Sequence, residues 1–386
     1  MPLTAANVEG EMEAANQAGD PPADALVSDL IDRNEVDGVN GLFRTIGTLK
    51  PGQDHSQLPP RLAEFLKDAS DDPPGWSDAD AAAAEGFFRN HHGEASMLQG
   101  TVGLIGTYLS PTGAFTLRST GRLGGVEGPG RRLSQSSRLF IGMGDDNALR
   151  DGSLKATVTK VRLVHSSVRQ LHKKSGEWDY EKWGEPVSQK YTAGAICVFS
   201  VQILEALENL GVHVSDEDRQ GFMCAWHYIN HYLGTPEKWL MPKDADEVDR
   251  LWRIQRETEW KETEDGKFMT EQALKFYREE MVPPPLYDPF VAMVRKALGD
   301  EYADKAGIPS NAVLDTGAEF ASAGHDLASS TFGGVLGGAA EEATGTNPYD
   351  AILGKASKAF NKIQEYALTH DKDKQPQMHQ ELHDNR

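Results

Sequence analysis

His165 stands in the middle of Arg162-Leu163-Val164-His165-Ser166-Ser167-Val168-Arg169, the stretch whose residue types and spacing best suit chemistry. Leu154, Val158, Val161, His165, Val168 and His172 recur at 3.6-residue spacing, so a helix here aligns them in one apolar stripe. An imidazole inside such a stripe is buried and needs a partner for its nitrogens. Arg162 and Arg169 fall along one flank, two turns apart, where they can meet anions. A haem would supply both at once: an iron for the imidazole and two propionates for the arginines. The plainer alternative is a core histidine hydrogen-bonded to a carbonyl, beside two arginines in ion pairs. Spacing alone favours that alternative.

A second constellation is His227-Tyr228-Ile229-Asn230-His231, with two histidines at i and i+4 on one helix face. That spacing can chelate zinc or join a carboxylate-bridged metal site. No glutamate follows the first histidine, so the His-Glu-x-x-His metalloprotease pattern is absent. His91-His92 follows a helix end and reads as exposed. Gly142-Met143-Gly144-Asp145-Asp146-Asn147 lacks the third glycine and the preceding strand of a dinucleotide fingerprint. Gly354-Lys355-Ala356 lacks the hydroxyl residue and upstream glycine of a P-loop, and no Gly-x-Ser-x-Gly elbow occurs. Without a Cys-x-x-Cys-His motif, any haem would be of the b type.

These residues need a scaffold, and 386 residues suffice for one large domain or two modest ones. The spacing predicts helices over Ala25–Asp32, Val39–Leu49, Arg61–Ala69 and from Ser77 into Phe87-Phe88, with Ser77 and Asp80 as a capping pair. Met97–Leu109 reads as a buried, glycine-interrupted helix. Ser153–Lys174 is ended by Gly176, and Tyr191–Leu210 by Gly211. A helix capped by Ser215 and Asp218 runs to Leu233, followed by Asp244–Thr258, Thr270–Glu280 and Pro289–Leu298. Period-2 runs bounded by hairpin turns are scarce, so the expected fold is all-α.

A formal charge of −20 and a pI near 5.0 argue against a nucleic-acid backbone binder or a protein drawn to anionic lipid. No run approaches about 20 uninterrupted apolar residues, so no transmembrane segment is expected. The start, Met1-Pro2-Leu3-Thr4-Ala5, shows no signal-peptide pattern, and a cytoplasmic location is expected. Cys197 and Cys224 lie in apolar helical patterns and read as buried thiols.

Taken together, several segments resemble the DUF2236 family of haem-b oxygenases, which includes the MpaB-type proteins and the latex-clearing rubber oxygenases. The residues that carry the likeness are Pro74-Gly75-Trp76, Thr120-Gly121-Arg122-Leu123, Arg132-Leu133-Ser134-Gln135-Ser136, the Arg162–Arg169 element, Trp178-Asp179 with Trp183-Gly184-Glu185-Pro186, and Trp226 to Gly234. The resemblance spans roughly residues 60–255.

It implies a single globin-like helical domain in which His165 is the proximal ligand of a haem b, with Arg162 and Arg169 as cofactor-binding residues. Arg132 then matches a distal-side arginine, and Ser136 stands where rubber oxygenases have a threonine near oxygen. Gln135 replaces a lysine found in some of them, and no acid lies between Gly100 and Gly125, where their catalytic glutamate would fall.

The implied activity is oxidation of an apolar, lipid- or terpenoid-like alkene by dioxygen. Two further readings stand beside it: a haem-binding sensor or storage protein without turnover, and a non-haem metalloprotein using His227 and His231. The expected organisation is a partly disordered N-terminal extension (1–58), a haem-binding helical domain (59–310), a Gly/Ala-rich and helical segment (311–366) and a disordered tail (367–386).

Overall fold

The computed structural model describes residues 3–43, 45–119, 139–140, 142–145, 147–282, 284–310 and 377–378. Among them there is no strand. The helices are α1 (Val8–Asn16), α2 (Pro21–Asp32), α3 (Val36–Leu42), α4 (Pro60–Asp68), α5 (Asp78–Leu98), α6 (Leu104–Tyr108), α7 (Pro111–Ser119), α8 (Ala148–Asp151) and α9 (Ser153–Ser175). After these come α10 (Tyr180–Trp183), α11 (Gln189–Phe199), α12 (Val201–Asn209), α13 (Asp216–Tyr232), α14 (Ala245–Glu259), α15 (Glu264–Phe276), α16 (Pro284–Leu298) and α17 (Asp300–Ala306).

The boundaries follow local chemistry. Ser77 and Asp80 form a reciprocal capping box at the start of α5, and Ser215 caps α13 by accepting from the Asp218 amide. α9 ends at Gly176, whose φ of 69° suits the left-handed turn that glycine adopts freely.

α5 lies along α13, and Gly221 lets them approach: a Cβ there would come within 2.2 Å of the Ala83 carbonyl. Phe87 and Phe222 stack across this contact with centroids 4.1 Å apart. The largest core is built around this pair together with α6, α11, α12, α14 and α16. A second, smaller core joins α2, α3 and α4 through Leu26, Val27, Phe43 and Phe65. α9 divides the two. Its Leu154 and Val158 face the large core, whereas Ala156 and Leu163 face the small one.

Two helices contain π turns. Gln99–Gly103 interrupts the run from α5 to α6, and Tyr277–Met281 extends α15. The two are tied together: the Tyr277 hydroxyl donates to the Gly100 carbonyl at 2.6 Å. Gln99 Nε2 in turn donates to the Phe199 carbonyl at 3.1 Å, where the chain breaks between α11 and α12.

Several expectations change. Within the N-terminal extension, Val8, Met12 and Ala15 are buried against the large core, and α2 begins at Pro21. Tyr191–Leu210 is two helices, broken at Ser200, whose φ and ψ of −116° and −91° are not helical. The run Gln189–Asn209 is long and apolar enough to cross a membrane, yet 67% of its most apolar window is buried inside the fold, as a core helix would be. The tail is described only at Gln377 and Met378; Met378 is buried, and both its amide and its carbonyl bond the Asn40 side chain. The Gly-rich 330–345 segment lies outside the described residues.

Candidate functional site

Helix α9 is fixed along its length. At its start, Gly152 has φ 83°, and a Cβ there would stand 2.4 Å from the Leu49 carbonyl. Close by, Lys155 is almost fully buried and donates to the Ser70 carbonyl at 2.7 Å and to Asp72 at 2.9 Å. Burial opposes ionisation of Asp72, but hydrogen bonds from Lys155 and Tyr232 prevail and hold its carboxyl below the usual range. Toward the C-terminal end, His172 meets the Ser119 hydroxyl at 3.0 Å and packs on Trp178 with centroids 4.5 Å apart.

The two arginines that flank His165 have internal anions. Arg162 grips Asp20 in a two-point contact, Nε–Oδ2 2.6 Å and Nη2–Oδ1 2.8 Å. Arg169 Nε reaches both Asp24 oxygens at 2.8 and 2.9 Å, and its Nη1 donates to the Val187 carbonyl at 2.8 Å. Ser166 adds a 2.7 Å bond to Asp24. Backbone closes over both pairs: a Cβ on Gly234, whose φ is 85°, would strike Asp20 and Arg162 at 2.3 and 2.4 Å, and one on Gly19 would press on Asp24 and Arg169. The expectation that Arg162 and Arg169 meet anions is met from within the chain. Their geometry is that of the ion-pair alternative, with Asp20 at the N-cap of α2 and Asp24 in its first turn as the partners.

His165 occupies the neighbouring face. Val161, Val164 and His165 are half-buried, whereas Val158–Lys160 before them and Ser166–His172 after them are buried. His165 thus lies in a half-buried stretch of α9 between two buried ones. Arg132, Gln135 and Ser136 lie outside the described residues.

The His227/His231 pair does not converge. His227 Nδ1 bonds the Met241 carbonyl at 2.6 Å and His231 Nε2 the Asp71 carbonyl at 3.2 Å, so each of those nitrogens carries its proton. Desolvation lowers the pKa of both rings, against the opposing effect of these carbonyls. Among the described residues no three His, Cys, Asp or Glu side chains are grouped as metal ligands would be.

Asp20 and Asp24 are the residues that the sequence reading missed. The signal was present: Asp20-Pro21-Pro22 is an N-cap followed by proline at the first helical positions, and the Asp20 side chain does accept from the Ala23 amide at 3.4 Å.

Among the described residues the fold is helical, and comparison with known proteins gives its class. Residues 88–324 match the family described as the catalytic domain of ER-bound oxygenase mpaB/B′ and rubber oxygenase. The chain belongs to this family, and it is an oxidoreductase of the oxygenase type. It is 27% identical over 302 residues to a rubber oxygenase of Streptomyces sp. (strain K30), covering 77% of this chain and 72% of that protein. Its fold matches the solved structure of the latex clearing protein LCP in the closed state, with a TM-score of 0.73 at 22% identity over 91% of each chain.

Proposed function

We propose that the chain is a haem-b oxygenase that uses dioxygen on an apolar alkene of lipid or terpenoid type, with His165 as the residue that would hold the haem iron. The observation that supports this reading best is the half-buried position of His165 on α9, between two arginine–aspartate pairs that clamp the helix. The rubber oxygenase relative supports the choice of an apolar alkene as substrate class.

When bound, the haem supplies the activation of dioxygen. The chain's own residues supply position. Arg162–Asp20 and Arg169–Asp24 fix the rotation of α9, so the imidazole presents one face without rearrangement. Val161 and Val164, half-buried beside it, would offer the haem apolar surface. In this reading Arg132 donates hydrogen bonds to dioxygen and the Ser136 hydroxyl orients it.

The test is an absorption spectrum with iron analysis on freshly purified protein and on His165→Ala. A Soret band in the wild type that His165→Ala abolishes is expected. A colourless, iron-free wild type expressed with ample haem would sink the proposal. A normal haem spectrum without oxygen uptake on any alkene tried would instead favour the sensor or storage reading.

A further inference from the structure

A cleft separate from the His165 helix opens between α1, α6, α11 and α14. Its cavity volume is about 60 Å³, so it is a slot and not a chamber. Met12, Cys197, Val198, Trp252 and Trp260 make its walls apolar. At Cys197 burial chiefly, with the charge of Asp249 behind it, pushes the thiol up to about 12.

Gly194 is an independent observation at the same place. It lies inside α11 and on the wall of the slot, and a Cβ built there meets no atom within 4 Å. Gly106, across the slot, is different: its Cβ would come within 2.9 Å of Val198. Glycine inside a helix is destabilising relative to alanine. At position 194 neither packing nor a left-handed backbone calls for it. What the missing side chain does is leave the slot open.

The mouth is charged. Lys190 Nζ and Glu259 Oε1 are 2.6 Å apart and both side chains are partly exposed. Among the described residues lining the slot, Lys190 is the one cation and Glu259 the one anion.

We infer that this slot binds a single unbranched hydrocarbon chain ending in a carboxylate, a fatty-acid type of ligand, with its tail passing Gly194 and its head on Lys190. The narrow bore excludes rings and branches, and the apolar walls suit methylene groups. In a chain of net charge −20, Lys190 is the group that can accept the anionic head, in competition with Glu259.

The experiment is isothermal titration of the purified full-length chain with decanoate, and with decan-1-ol as the neutral comparator. Saturable one-to-one binding of decanoate is expected. Gly194→Leu, which fills the slot, should weaken it at least tenfold while Gly194→Ala folds with an unfolding midpoint no lower than wild type. Lys190→Met should weaken decanoate about tenfold and leave decanol within twofold, whereas Glu259→Gln should tighten decanoate. If Gly194→Leu fails to fold, the two rim variants decide the matter. The inference is overturned if decanoate shows no saturable binding, if it binds Gly194→Leu as it binds wild type, or if Lys190→Met weakens acid and alcohol alike. These readouts do not depend on haem absorption, so either proposal can fail alone.

Discussion

Replacing Asp20 by asparagine leaves a side chain of the same size but removes the charge facing Arg162. The pair is deeply enclosed, with Asp20 4% and Arg162 13% exposed, and both guanidinium contacts are shorter than 2.9 Å. Stripping one partner from a buried ion pair costs about 3–5 kcal/mol, because the survivor is left charged and unpaired. The slight exposure of Arg162 places Asp20→Asn near the lower end, about 3 kcal/mol. Asp20→Ala also loses the cap on the Ala23 amide and should cost about 1 kcal/mol more.

Urea unfolding followed by far-ultraviolet circular dichroism reads these losses, and the Asp20→Ala/Arg162→Ala cycle isolates the coupling. The same variants test what Arg162 is for. If it braces α9 through Asp20, then Asp20→Asn and Arg162→Gln should lower stability and haem occupancy together. A loss under 0.5 kcal/mol on the order expected of surface substitutions, or a coupling near zero, refutes the bracing argument. So does an Arg162→Gln variant that loses haem while Asp20→Asn keeps it.

Three further outcomes are expected. Gly152→Ala should destabilise by more than about 2 kcal/mol, since it adds both a left-handed non-glycine backbone and a contact with Leu49, and its urea midpoint would show it. Tyr277→Phe should cost about 1–3 kcal/mol by leaving the buried Gly100 carbonyl without its donor, readable as a lower thermal midpoint. The depressed histidines set a pH dependence: the unfolded chain binds protons at His227 and His231 more readily than the folded one. Stability should therefore be intact above the unfolded value of 6.5 and decline as pH falls from there toward the lower folded values; His227→Gln/His231→Gln should flatten that part of a midpoint-versus-pH curve.

The helix at the centre of the argument was legible almost to the residue: Ser153–Lys174 from the sequence against Ser153–Ser175 in the fold. A 3.6-residue apolar period and a terminal glycine are strong signals when they agree. The cap at Ser215 was equally plain. What escaped detection has physical reasons. α1 and the first turn of α2 bury small side chains, Ala15 and Ala23 among them, so their acidic and alanine-rich composition concealed one packed helix and the start of another. The break at Ser200 sits in a continuous apolar run, where period alone sees one helix. α15 starts at Glu264, six residues before its expected start, because its first turn is polar and its signal is the Thr263 cap. At the site itself His165 was found but the partners of its neighbours were not, since a pairing across 142 residues leaves no local trace.

The π turn at Gln99–Gly103 has a consequence for how the family's sequences are to be aligned. A π turn closes its hydrogen bonds one residue later than an α turn, so it behaves as one residue inserted into a helix. Everything after it is rotated by about 100° relative to an uninterrupted helix. Deleting one residue between Gln99 and Gly103 would restore a regular helix and swing Leu104–Tyr108, including the slot-lining Gly106, onto another face. The hydroxyl that fastens this extra residue comes from Tyr277, 177 positions downstream. A relative with one residue fewer here should thus lack the tyrosine as well, and the two changes are best scored as one evolutionary event.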